Sequence, residues 1–100
     1  MAADIEWLQA SGNYVNLRVN GRDYPLRSTI ASIEDRLNAR QFMRVHRSFI
    51  VNLDRIASIE PLGTGDACLH MKDAATVPCS RRYRADLRQR AGRGEVHAVA

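Results

Sequence analysis

Two tripeptides carry the groups best suited to gripping anions. His46-Arg47-Ser48 offers an imidazole, a guanidinium and a hydroxyl, and Ser80-Arg81-Arg82 offers a hydroxyl and two guanidiniums. All of these bond phosphate oxygens. A guanidinium can also fork onto a base edge, where guanine presents two acceptors side by side. The plain alternative is a solvated corner whose arginine pairs with a nearby carboxylate, since most surface arginines carry no function.

Enzyme chemistry finds little support. Neither GxxxxGK[ST] nor GxGxxG occurs, and no pair of carboxylates is set up for hydrolysis. Glu34-Asp35 reads as the solvated side of a helix. His46, His70 and His97 are scattered. A zinc site from Cys68, Cys79, His46 and His70 would need four strands to converge, without the close ligand pairs that structural zinc sites show. The sequence therefore predicts neither a catalytic residue, a metal site nor a cofactor. Cys68 and Cys79 read as small buried thiols and not as a disulfide framework.

The charge balance points to a polyanionic partner. The chain has 100 residues, 45% of them hydrophobic, and a formal charge of +4. All of its 15 basic residues except Lys72 are arginines, the side chain that binds phosphate and guanine bidentately. Arg81, Arg82, Arg84, Arg88, Arg90 and Arg93 crowd one stretch in which Asp86 is the only acid. That is a local cationic face of the kind nucleic acid requires. No apolar run approaches the ~20 residues of a membrane span. The start, Met1-Ala2-Ala3-Asp4, shows no secretory signal, so a cytoplasmic location is expected.

The elements that must position these groups follow from periodicity. In Phe42–Leu53, Met43, Val45, Phe49 and Val51 alternate with Arg44, His46, Ser48 and Ile50, which predicts strands with one apolar face. Arg47 interrupts the apolar series. Two short strands, Met43–Val45 and Phe49–Val51, therefore meet at a tight corner, His46-Arg47-Ser48. Upstream, a strand from Ile5 to Ala10 leads through the Ser11-Gly12-Asn13 turn into a hairpin from Tyr14 to Leu26, closed by Asn20-Gly21. Ser28-Thr29 can cap a helix over Thr29–Asn38 whose inner stripe is Ile30, Ile33 and Leu37. Downstream come a strand through Ile56 and Ile59 that ends at Pro61-Leu62, and strands at Cys68–Met71 and Thr76–Pro78, the last at an edge or terminus because of Pro78. Ser80 caps a helix over Arg81–Arg90 that turns Tyr83 and Leu87 inward. Trp7 is a core or rim anchor, and Met43 and Met71 are core filler. One domain over residues 1–91 and a loose tail over 92–100 are expected.

In this order, IEWLQASGNYVNL, YPLRSTIASIEDRL, FMRVHRSFIVNLDRIASIE and LHMKDAATVPCSRRYRADL resemble the LytTR family of DNA-binding domains, the output modules of bacterial response regulators. The likeness covers about residues 4–90. It implies a mainly β fold, an elongated β-β-β sandwich of short antiparallel strands with one short central helix and a C-terminal helix. It also implies readout of double-stranded DNA by loops that enter successive major grooves. Carried over, Asn13, Tyr14, Arg47 and Arg81 are expected at base edges, and Arg44, His46, Ser48, Ser80, Arg82 and Arg84 at phosphates. Paired or repeated promoter half-sites, and a receiver or sensor domain outside this sequence, are the implied partners. The family's usual Asp-Gly turn between the last strands is Asp73-Ala74 here, which puts the tightness of that turn in question.

Two rival readings keep the same elements. One is a β-rich interaction module that docks its arginine helix on an acidic protein. The other is a small RNA-binding domain, against which stands the scarcity of aromatics for base stacking.

Overall fold

The computed structural model describes residues 2–91 and 97–98. Strands β1 (Ile5–Ser11), β2 (Tyr14–Val19), β3 (Arg22–Arg27), β4 (Phe42–His46) and β5 (Phe49–Asn52) form one sheet in the order β3-β2-β1-β5-β4. Strands β6 (Ile56–Pro61), β7 (Ala67–Met71), β8 (Thr76–Cys79) and β9 (His97–Ala98) form a second sheet, ordered β8-β7-β6-β9. All pairings are antiparallel except β6 with β9. Helix α1 (Ile30–Glu34) joins the first hairpin to β4, and α2 (Arg81–Ala91) follows β8. The body is elongated, 37 × 24 × 22 Å, and the fold is mainly β as expected. The tail expectation falls largely outside the described residues, apart from His97–Ala98, which pair with Ser58 and Ile59.

Turn chemistry builds the strands. Asn20 and Gly21 both take positive φ, +50° and +79°, as the tight β2–β3 turn requires. Pro25 sits on the exposed edge strand β3, and Pro78 on β8, an edge of the second sheet, where a missing ladder donor costs least. Ala74 takes φ +74°, and its N–H still donates to Met71 O at 3.0 Å. The Asp73-Ala74 turn is therefore tight without glycine, at the expense of a left-handed alanine.

Two sequence expectations need correction. Helix α1 is shorter than Thr29–Asn38. Thr29 does cap it, its Oγ1 accepting from Ser32 N–H at 3.1 Å. The helix stops at Glu34, and the next bonds are of the tighter three-residue type, Arg36 N–H to Ile33 O and Leu37 N–H to Glu34 O. Asn38 then turns the chain back, accepting from Arg40 N–H on its side chain and from Gln41 and Phe42 on its carbonyl. The second correction concerns β4 and β5, which do not have one apolar face. Phe42 and Ile50 are buried with Ile5, Leu8, Val15 and Ile33 on one side. Met43, Val45 and Val51 are buried on the other, with Ile56, Leu69, Met71, Val77 and Leu87. Both faces are covered, by α1 on one side and by the second sheet with α2 on the other.

One buried polar group ties the start of the chain to this centre. The fully buried Asn52 side chain donates to Ile5 O at 2.8 Å and Ala3 O at 3.3 Å, and accepts from Asp54 N–H at 3.0 Å. Its amide is thereby satisfied, as a buried polar group must be.

Candidate nucleic-acid interface

The first sheet sets two turns side by side. Gln9 pairs with Phe49, and Ala10 N–H donates to Ser48 O at 2.8 Å. The Gly12-Asn13 turn and the Arg47-Ser48 corner therefore lie at the same end of the sheet. Their hairpins are two strands apart, about 10 Å. Ser80 joins this end from the other sheet, its N–H donating to Val45 O at 2.9 Å. Backbone hydrogen bonds thus tie together the strand ends beside the three polar segments picked out in the sequence.

At the corner, the β4–β5 register shifts between Arg44 and His46. Arg44 braces the bend from inside. Its Nε donates to His46 O at 2.9 Å, and one terminal nitrogen donates to Arg47 O. The other meets the Glu34 carboxylate at 3.0 Å. Ser48 N–H donates to His46 Nδ1 at 3.0 Å. A neutral imidazole accepting there carries its proton on Nε2, which can donate to an oxygen. The ring also rests edge-on against Phe49, centroids 5.6 Å apart. Arg47 alone of the corner is exposed, and its guanidinium has no partner among the described residues.

The Ser80 side chain does not cap α2 as expected; the start of the helix is held by a group the sequence did not single out. Asp66 accepts Arg81 N–H at 2.8 Å and is itself met by the Thr64 hydroxyl at 3.2 Å. Its carboxylate takes a backbone donor that a helix N-terminus leaves open. The favourable helix dipole adds to the bond. Arg84 donates to Gly65 O at 3.0 Å, so it fastens the same loop. Arg81 and Arg82 are exposed, the latter stacking over Tyr83 at 5.5 Å. Arg90 turns back to the Ala39 and Phe42 carbonyls. Fully buried Leu87 anchors the helix, with Tyr83 packed beside it.

Asn13 and Tyr14 are exposed, Tyr14 to 49%. Beyond them, a second clasp spans the sheets. Trp7 Nε1 donates to Asp73 at 3.3 Å, and Arg18 lies 3.6 Å from the same carboxylate and 2.9 Å from Asp23. The Arg18 guanidinium, accepting no proton but donating to Asp23, holds that carboxyl below its usual range. Neither Asp66 nor Asp73 carried a local signal, since their partners lie 15 and 66 residues away.

A mainly β body that presents a cationic edge of two turns and a helix start is the form of a small DNA-binding domain. The chain belongs to the LytTr DNA-binding domain family, whose model matches residues 1–92. It is 35% identical over 86 residues to the sensory transduction protein LytT of Bacillus subtilis, a match covering 86% of this chain and 36% of that protein. It is 32% identical over 87 residues to the transcriptional regulatory protein YpdB of Escherichia coli K12, covering 86% and 36%. A solved LytTr DNA-binding domain from Bacillus cereus superposes with a TM-score of 0.83 at 26% identity, covering 91% of this chain and 84% of that one. The chain thus spans 36% of the length of these two curated relatives. Among the described residues, no helix is long and apolar enough to cross a membrane.

Proposed function

We propose that this chain is the sequence-reading output domain of a bacterial transcription regulator and has no catalytic activity of its own. The observation that carries the reading is the pair of hydrogen bonds, Ala10–Ser48 and Val45–Ser80, that tie the end of β1 and the residue before α2 to the β4–β5 hairpin. In this reading Arg47 and Arg81 meet guanine edges, with Asn13 and Tyr14 beside them. Ser48, His46, Ser80, Arg82 and Arg84 hold phosphates, which sets register without reading sequence. Arg44, whose guanidinium is already engaged with two carbonyls and a carboxylate, shapes the corner that presents Arg47.

Loops entering successive major grooves belong to the same proposal and rest on the likeness to the family. The 37 Å long axis is long enough to span one helical turn of DNA, about 34 Å. Paired half-sites, a receiver or sensor domain elsewhere in the same protein, and a cytoplasmic location complete the proposal. They rest on the likeness to LytT and YpdB.

Selection of bound duplexes from a random pool tests it directly. Enrichment of one motif is expected. Binding to that motif should weaken with salt at a slope near −5 in log–log form, if about five to seven phosphates are neutralised at ~0.9 each. An unenriched pool or a flat salt response would overturn the reading. Stronger binding to single-stranded RNA or to an acidic protein in parallel assays would favour the rivals.

A further inference from the structure

We propose that Glu60, Cys68 and His70 form a binding site for a zinc-class divalent cation on the outer face of the second sheet. Glu60 is the cross-strand partner of Cys68, and His70 follows two residues along β7. Two-residue spacing and direct pairing put all three side chains on one face of the sheet. The neighbours of opposite parity, Ala67, Leu69 and Met71, are buried toward the core. The carboxylate, thiol and imidazole donor atoms lie within 4.8 Å of one another, and His70 Nε2 is 2.8 Å from Glu60 Oε1. Donors around a tetrahedral zinc ion stand about 3.4 Å apart, given bonds of ~2.0–2.3 Å. Small side-chain rotations therefore suffice to close the set.

The mixture of donors selects the metal. An imidazole and a thiolate favour zinc or its cobalt analogue over magnesium or calcium, which prefer oxygen throughout. Three protein ligands leave a fourth position to water. On binding, the Cys68 sulfur loses its proton to solvent as the metal–sulfur bond forms. The ion would bridge β6 to β7 at the base of the hairpin whose loop carries Asp66. The sequence alone offered no such signal, because Glu60 and Cys68 are neighbours only through the β6–β7 register.

Cobalt(II) reports on this site by absorbance. Titrated into the reduced chain, it should give a saturable thiolate charge-transfer band at one equivalent, and zinc should displace it. Cys68→Ser should abolish the band, and Cys79→Ala should leave it. His70→Asn and Glu60→Gln should each weaken the affinity by about tenfold or more. Zinc should raise the melting temperature of the wild-type chain but not of His70→Asn. Metal-free melting curves establish that each variant is folded, and if Cys68→Ser does not fold, His70→Asn decides. Absence of a saturable band, or a band and thermal shift that survive in His70→Asn, would overturn the site.

Discussion

The Arg44 guanidinium stands 3.0 Å from the Glu34 carboxylate, and this pair links the last turn of α1 to the corner that presents Arg47. The same guanidinium bonds the carbonyls of His46 and Arg47. A planar fork can serve three acceptors at once; an ammonium on a flexible stem cannot. Arg44→Lys keeps the charge and loses the brace. It is expected to lower affinity for the selected duplex by about 1–2 kcal/mol and leave the salt slope unchanged. Fluorescence anisotropy at several salt concentrations measures both. Unaltered affinity in Arg44→Lys would make Arg44 a plain phosphate contact.

Reading and holding separate at Arg47, Arg81 and Arg82. Arg47→Ala and Arg81→Ala should each cost ~1–3 kcal/mol on the selected duplex and little on a scrambled one. Arg82→Ala should weaken both alike and flatten the salt slope by roughly one unit. Equal losses on both duplexes in Arg47→Ala would remove the corner as a reader of sequence.

Helix α2 is fixed at two points of different kinds. Leu87 is fully buried, so Leu87→Ala should destabilise by ~2–4 kcal/mol. Asp66 accepts the first helical N–H, and Asp66→Ala should cost about 1 kcal/mol through the lost cap. Urea unfolding gives both figures. A loss below ~0.5 kcal/mol for Leu87→Ala would mean that the helix is not docked as described.

Ala74 carries a removable strain. Its φ of +74° disfavours an L side chain by ~1–2 kcal/mol, part of which glycine returns in unfolded-state entropy. Ala74→Gly should therefore stabilise by about 0.5–1 kcal/mol. A lower melting temperature in this variant would contradict the turn geometry.

The two thiols should not pair. Cys68 sits opposite Pro78 and Cys79 opposite Ala67, so the two side chains project from opposite faces of the sheet. Burial pushes the Cys79 thiol up to about 11, against an ordinary 9.0. Burial, and then the Glu60 carboxylate, also raises Cys68. Because the folded value of Cys79 lies above the unfolded one, its contribution to stability is complete below pH 9.0 and lost as pH rises through about 11. A maleimide at neutral pH should label Cys68 before Cys79, with Cys79 reacting only on unfolding. A fall in melting temperature on adding reductant alone would indicate a disulfide after all.

Local chemistry was legible because it acts over a few residues. Asn20-Gly21 announces its turn through positive φ, and Thr29 announces its cap through a bond three residues away. Leu87 and Tyr83 share a face by helical spacing, and Arg47 marks the corner by breaking an apolar alternation. The crowd of arginines beyond Ser80 needs no fold to be seen. The likeness to the LytTR family rested on four such runs in order, and it brought the mainly β architecture with it.

What depended on tertiary structure was the covering of each face and the partner of each polar group. Ile50 shares its parity with Arg44, His46 and Ser48 in the sequence, which placed it on a polar face. It is buried because α1 covers that side of the central strands. Arg44, expected at a phosphate, is engaged with Glu34, ten residues earlier. Asp66 caps a helix fifteen residues later, and Asp73 receives Trp7 from across both sheets. Periodicity records only which side chains alternate along one strand. Which surface or charge meets them is set by strand pairing between distant segments, and that pairing exists only once the sheets have closed on each other.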